Sequence, residues 1–100
     1  METKEFQKKC AKIVSDIDNK HGIKRDLQLS FTQMMEEIGE LARDINLPKL
    51  RSQEIDKNNL KGEFADVILQ LSALADMLGV DFEKAVEAKM KTLKDRHGIE

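Results

Sequence analysis

The chain has 100 residues, with 17 Lys and Arg against 19 Asp and Glu and a net charge of −2; the isoelectric point is near 5.7. That size fits a single domain over residues 1–100, and the charge balance lacks the basic face that a nucleic-acid polymer requires. Cys10 is the only cysteine, which excludes an intrachain disulfide. No apolar stretch approaches the ~18 residues of a membrane span or forms a signal core, so the expectation is a cytoplasmic protein with no membrane contact.

Glu, Lys, Leu, Ala and Met together make up 46 of the 100 residues, with one Pro and five Gly, a balance that favours an all-α fold. The first predicted helix covers Thr3 to Lys20, with Phe6, Cys10, Ile13, Val14 and Ile17 as its apolar stripe. Gly22 reads as its stop signal. A polar connection from Ile23 to Leu29 follows. Ser30 with Gln33 has the spacing of a capping box, so the second helix is expected from Phe31 to about Asn46, ended by Pro48. Lys49 to Asn59 reads as a loop. Asn58 or Asn59 is expected to cap a third helix from Leu60 to Leu78. Gly79 would close it, and Asp81 would cap a fourth helix from Phe82 to about Arg96. No period-two run of β-branched residues indicates a strand.

Two acid pairs stand inside the middle helices: Glu37 with Glu40, and Glu63 with Asp66. A spacing of three puts both members of a pair on one face. At about 100° per residue, Glu37 and Glu40 lie roughly 60° and 120° to one side of Met34. Glu63 and Asp66 likewise share one side of Phe64, so all four flank the core. None has a basic residue four positions on, so they are not set up for i,i+4 ion pairs. Antiparallel packing of the two helices would bring four carboxylates together, which calls for a cation. Histidine is absent from these positions, unlike the Glu-x-x-His of di-iron bundles, so Mg²⁺ is expected, with Mn²⁺ the alternative. Glu36, Asp44, Glu54 and Asp76 are acids too and read mostly as surface, and the four phenylalanines as core. His21 and Arg25, in the first connection, are the polar residues there with reach toward a nucleotide.

The run Met35-Glu36-Glu37-Ile38-Gly39-Glu40-Leu41, followed by Glu63-Phe64-Ala65-Asp66-Val67-Ile68, resembles the MazG-type nucleotide pyrophosphohydrolases of the all-α NTP pyrophosphatase superfamily. Leu78-Gly79-Val80-Asp81 and the basic end from Lys89 to Arg96 also resemble that family, and the similarity covers roughly Phe31 to His97. It implies hydrolysis of a nucleoside triphosphate to the monophosphate and pyrophosphate, in a house-cleaning role against non-standard or surplus nucleotides. It carries Glu37, Glu40, Glu63 and Asp66 over as catalytic metal ligands, with Glu40 or Glu36 as candidate general base. Lys89 and Arg96 correspond to residues that contact the substrate phosphates, although Leu93 stands where relatives usually have Asn.

The resemblance also implies a four-helix MazG-like bundle completed by homo-oligomerisation, as a homodimer or homotetramer. The wide apolar stripes on 31–45 and 60–78 point the same way. Two alternatives are weighed against this reading: a phosphoribosyl-ATP pyrophosphohydrolase, which shares the acid framework, and a non-catalytic helical assembly module.

Overall fold

The computed structural model describes residues 2–100. It contains four helices and, among the described residues, no strand: α1 Thr3–Lys20, α2 Leu27–Leu50, α3 Lys57–Leu78 and α4 Phe82–His97. The all-α expectation holds, and α1 has the bounds its periodicity gives.

The starts of α2, α3 and α4 are set by aspartates. Asp26 caps α2, its Oδ1 accepting from the Leu29 amide at 2.7 Å. α2 therefore begins four residues earlier than the Ser30 capping box implies, and Ser30 is fully buried inside it. Asp56, rather than Asn58 or Asn59, caps α3 and accepts from both of their amides. Asp81 caps α4 as expected, through the Lys84 amide. An aspartate at the N-terminus of α2, α3 and α4 also complements the positive end of the helix dipole.

Pro48 does not end α2, which continues to Leu50. Proline removes one bond to the carbonyl four residues back and only biases its predecessor away from helix. Near the end of a helix that cost is small, and here the Pro48 carbonyl is taken up by the Gln53 amide at 2.7 Å. The true connection is thus 51–56. Gly79 and Gly98 close α3 and α4 with φ of 68° and 64°, left-handed positions suited to glycine.

α3 is the central element. α2 packs antiparallel along one side of it, and α1 lies antiparallel along its C-terminal half. The buried apolar residues among those described are small: Cys10, Ala11 and Val14 of α1, with Ala73 and Ala75 of α3. The buried face of α1 is therefore rotated from its predicted stripe. It includes Gln7 and Asp18, while Phe6, Ile13 and Ile17 remain about half exposed. Both buried polar groups are hydrogen-bonded, which is what permits their burial. Gln7 spans the α3–α4 turn, donating from Nε2 to the Val80 carbonyl at 2.6 Å and accepting at Oε1 from the Phe82 amide at 2.8 Å.

α4 packs against α1 and buries none of its own residues. Phe31 and Phe64 are more than half exposed, contrary to their expected place in the core. The chain is open for its length: its radius of gyration is 16.4 Å, against about 13 Å for a compact chain of 100 residues.

Candidate functional site

α2 presents Gln33, Glu37, Glu40 and Asp44 at steps of four, three and four; α3 presents Asn59, Glu63, Asp66 and Gln70 at the same steps. Such a rhythm keeps four side chains on one helical face. Because the helices run in opposite directions, the two rows meet as a ladder. At one end Asn59 Nδ2 donates to Asp44 Oδ2 at 2.8 Å. At the other, Arg25 bridges Gln33 and Gln70. The acids fill the middle.

Glu37, Glu63 and Asp66 each offer an oxygen within 4.8 Å of the other two. Glu37 and Glu63 are half-buried and Asp66 is exposed. Glu40 is exposed beside this trio and hydrogen-bonds Glu37. The structure thus brings three of the four expected acids into one cluster and leaves Glu40 at its edge. None of the four forms an ion pair with a basic side chain among the described residues.

Crowding of like charge shifts these groups. Burial raises the Glu37 carboxyl above its ordinary 4.5, and the nearby charges of Asp66 and Glu40 raise it further. Glu63 is pushed up to about 7, first by its hydrogen bond with Asp44, then by burial and by the charges of Asp44, Glu40 and Asp66. Asp44 moves the opposite way. It accepts the hydrogen bond from protonated Glu63 and another from Asn59, and Arg43 lies 3.3 Å away, so its carboxylate is held below the usual range. Of the two, Glu63 therefore keeps its proton to the higher pH.

Glu37 Oε2 and Glu63 Oε2 are shielded from solvent and have no hydrogen-bond partner among the described residues. An ionised carboxylate oxygen in that state is costly unless it meets a cation. The donor set is entirely oxygen, with neither His nor Cys, and so suits a hard divalent ion such as Mg²⁺ or Mn²⁺.

A cavity of about 250 Å³ opens against this cluster. Ile13 and Ile17 of α1 and Leu69 of α3 supply apolar lining, and Glu37 and Asp66 form one polar border. Arg25, Gln33 and Gln70 form the other. Arg25 is fixed by a bidentate pair with Asp18, Nε to Oδ2 at 2.6 Å and Nη2 to Oδ1 at 3.2 Å.

Lys89 and Arg96 lie exposed on α4, which packs on α1, and neither borders the acid cluster or this cavity. His21 is exposed in the connection after α1. Asp44, read from sequence as surface, proves to be the partner of Glu63, with its side chain only 18% exposed. Gln33, Asn59 and Gln70 were not singled out from the sequence either. The signal that finds them is the four-three-four spacing, which extends each acid pair outward by one turn.

No curated protein and no solved structure gives a significant match to the chain. The model of the MazG nucleotide pyrophosphohydrolase domain does match, over residues 26–98. That span runs from the Asp26 cap of α2 to the Gly98 that closes α4 and takes in every rung of the ladder. The chain belongs to the MazG nucleotide pyrophosphohydrolase family.

Proposed function

We propose that residues 1–100 form a single Mg²⁺-dependent domain that hydrolyses a nucleoside triphosphate to its monophosphate and pyrophosphate. One observation carries the reading. Three carboxylates converge within 4.8 Å, and two of them hold shielded oxygens that no donor among the described residues satisfies. Glu37, Glu63 and Asp66 would hold the ion, with Glu40 beside them. Mg²⁺ bound there would neutralise part of the triphosphate charge and make a water more acidic. Glu40, exposed and hydrogen-bonded to Glu37, would serve as the base that accepts a proton from the attacking water. Without the ion, Asp44 accepts a hydrogen bond from the protonated form of Glu63, and that proton would leave when Glu63 takes up the metal. The physiological role proposed is the clearance of non-standard or surplus nucleotides.

The same reading assigns Lys89 and Arg96 to the substrate phosphates, where Arg offers paired donors. α4 packs on α1, away from the acids of its own chain, so these contacts call for α4 of a second copy. The exposed apolar faces support such an assembly. Val86 and Met90 of α4 are about half exposed, as are Phe31 of α2 and Phe64 of α3, and a homodimer or homotetramer would cover them. No helix among the described residues is long and apolar enough to cross a membrane.

Pyrophosphate release from a panel of common and damaged nucleotides, with Mg²⁺ and with chelator, tests the activity. Turnover is expected only with the metal, and Glu63→Gln should abolish it while preserving helical circular dichroism. Absence of cleavage across the panel by folded, Mg²⁺-supplied protein would refute the reading. Light scattering at micromolar concentration should give at least a dimer, and a stable monomer would refute the assembly.

A further inference from the structure

The geometry points to Gln33 and Gln70 as the base-reading end of the site, selecting nucleobases that present a carbonyl where adenine and cytosine present an amine. This inference rests on the proposal that the acid cluster receives a nucleoside triphosphate.

Arg25 sits between the two glutamines. Its Nη2 donates to Gln33 Oε1 at 2.6 Å and its Nη1 to Gln70 Oε1 at 3.2 Å. A guanidinium has donors only, so the carbonyl end of each amide must face it. That fixes the amide orientation by chemistry, and it turns each NH₂ away from Arg25. Neither Nε2 is committed to a protein acceptor among the described residues. The arrangement is rigid, because Arg25 is itself held by both oxygens of Asp18, with each side chain only about a tenth exposed.

Gln33 and Gln70 line the same cavity as Glu37 and Asp66, one helical turn away along α2 and α3. One turn is about 5.4 Å, a step on the scale of the sugar that separates an α-phosphate from its base. Apolar walls from Ile13, Ile17 and Leu69 suit a flat ring. Because Glu37 and Asp66 border the cavity, a base seated among its apolar walls leaves the phosphates at the acids. The polar end facing the ring thus offers amide donors, with the carbonyls of both glutamines and the carboxylate of Asp18 occupied by Arg25. The complementary edge carries acceptors: O4 of uracil or thymine, and O6 with N7 of guanine or hypoxanthine. An exocyclic amine at that position would set donor against donor.

The test is equilibrium binding of non-hydrolysable α,β-imido triphosphates with saturating Mg²⁺, in two matched pairs. Inosine against adenosine and uridine against cytidine each exchange a carbonyl for an amine at one position. Wild-type protein should prefer the carbonyl member of both pairs by about tenfold or more. Gln33→Glu/Gln70→Glu keeps an oxygen on Arg25 while replacing the donors by acceptors, and should erase or invert both ratios. If the glutamines only fasten the connection after α1, the variant will move all four affinities together and leave the ratios unchanged, which overturns the inference. Equal wild-type affinities within each pair overturn it as well. Cleavage of all four parent triphosphates at equal efficiency would sink the base assignment and leave the hydrolase reading standing. Selective binding without any cleavage would do the reverse.

Discussion

Asp18 and Arg25 offer the sharpest physical test of the fold around the site. The pair joins the end of α1 to the start of α2, and through Gln70 it reaches α3. Both side chains are about a tenth exposed. Asp18→Ala would leave the guanidinium facing two neutral amide carbonyls in place of a bidentate carboxylate. Removing one partner of a buried pair costs about 3–5 kcal/mol. The residual exposure and the two surviving amide bonds place the expected loss near the lower end, about 3 kcal/mol. That is a large share of the ~5–15 kcal/mol that holds a typical domain together. Removing both charges in Asp18→Leu/Arg25→Met should cost less than Asp18→Ala, because no charge is then stranded; only the Gln33 and Gln70 carbonyls lose a partner, at about 1 kcal/mol each. Urea unfolding followed by circular dichroism, at fixed protein concentration, measures all the variants. A double-mutant cycle from Asp18→Leu, Arg25→Met and their combination should give a coupling of about 2 kcal/mol. A loss below about 1 kcal/mol for Asp18→Ala, or strict additivity in the cycle, would refute the reasoning.

Three further outcomes follow from the same structure. Glu63 carries a folded-state pKa of about 7, above its ordinary 4.5, so the folded chain holds that proton more tightly than the unfolded one. The associated stability is complete below about pH 4.5 and is lost as the pH rises through about 7; the metal-free melting temperature should fall across that window, Mg²⁺ should restore it at the upper end, and a metal-free curve that climbs from pH 5 to 7.5 would contradict the account. Gln7→Glu keeps the acceptor for the Phe82 amide but sets a carboxylate oxygen against the Val80 carbonyl, so hydrogen exchange should quicken first in α4, with a loss of about 1–2 kcal/mol; uniform exchange rates would argue against the clamp. Ser72 is buried with an unpartnered hydroxyl, so Ser72→Ala should be neutral or stabilising by up to about 1 kcal/mol, and a clear drop in the urea midpoint would show that the hydroxyl has a role.

Much of the fold was legible because helix periodicity and capping are local. The bounds of α1, the Gly79 closure and the Asp81 cap all rest on neighbours within one turn. The errors came where two local signals competed. Asp26 outranked Ser30, Asp56 outranked Asn58 and Asn59, and Pro48 was tolerated close to a helix end. The three-acid cluster was visible as two i,i+3 pairs. The rest of the ladder was not, because Asp44, Gln33 and Gln70 acquire meaning only once the register of α2 against α3 is known. A side chain such as Asp18 reads as polar surface until its partner, seven residues on, is seen to cover it. The exposure of Phe31 and Phe64 was equally beyond a one-chain reading, since an apolar stripe does not say which chain covers it.

The ladder between α2 and α3 also bears on how such a domain diversifies. Each rung sits about one turn from the next and is fastened mainly to its own neighbours, with the 51–56 connection lying beyond the last of them. Insertions there leave the register intact as long as Asp44 and Asn59 still meet. Residues 33 and 70 can likewise change together without displacing Glu37, Glu63 or Asp66. Reactivity and selectivity are thereby separately heritable: one lineage can exchange its substrate by altering a single rung while its hydrolytic chemistry passes on unchanged.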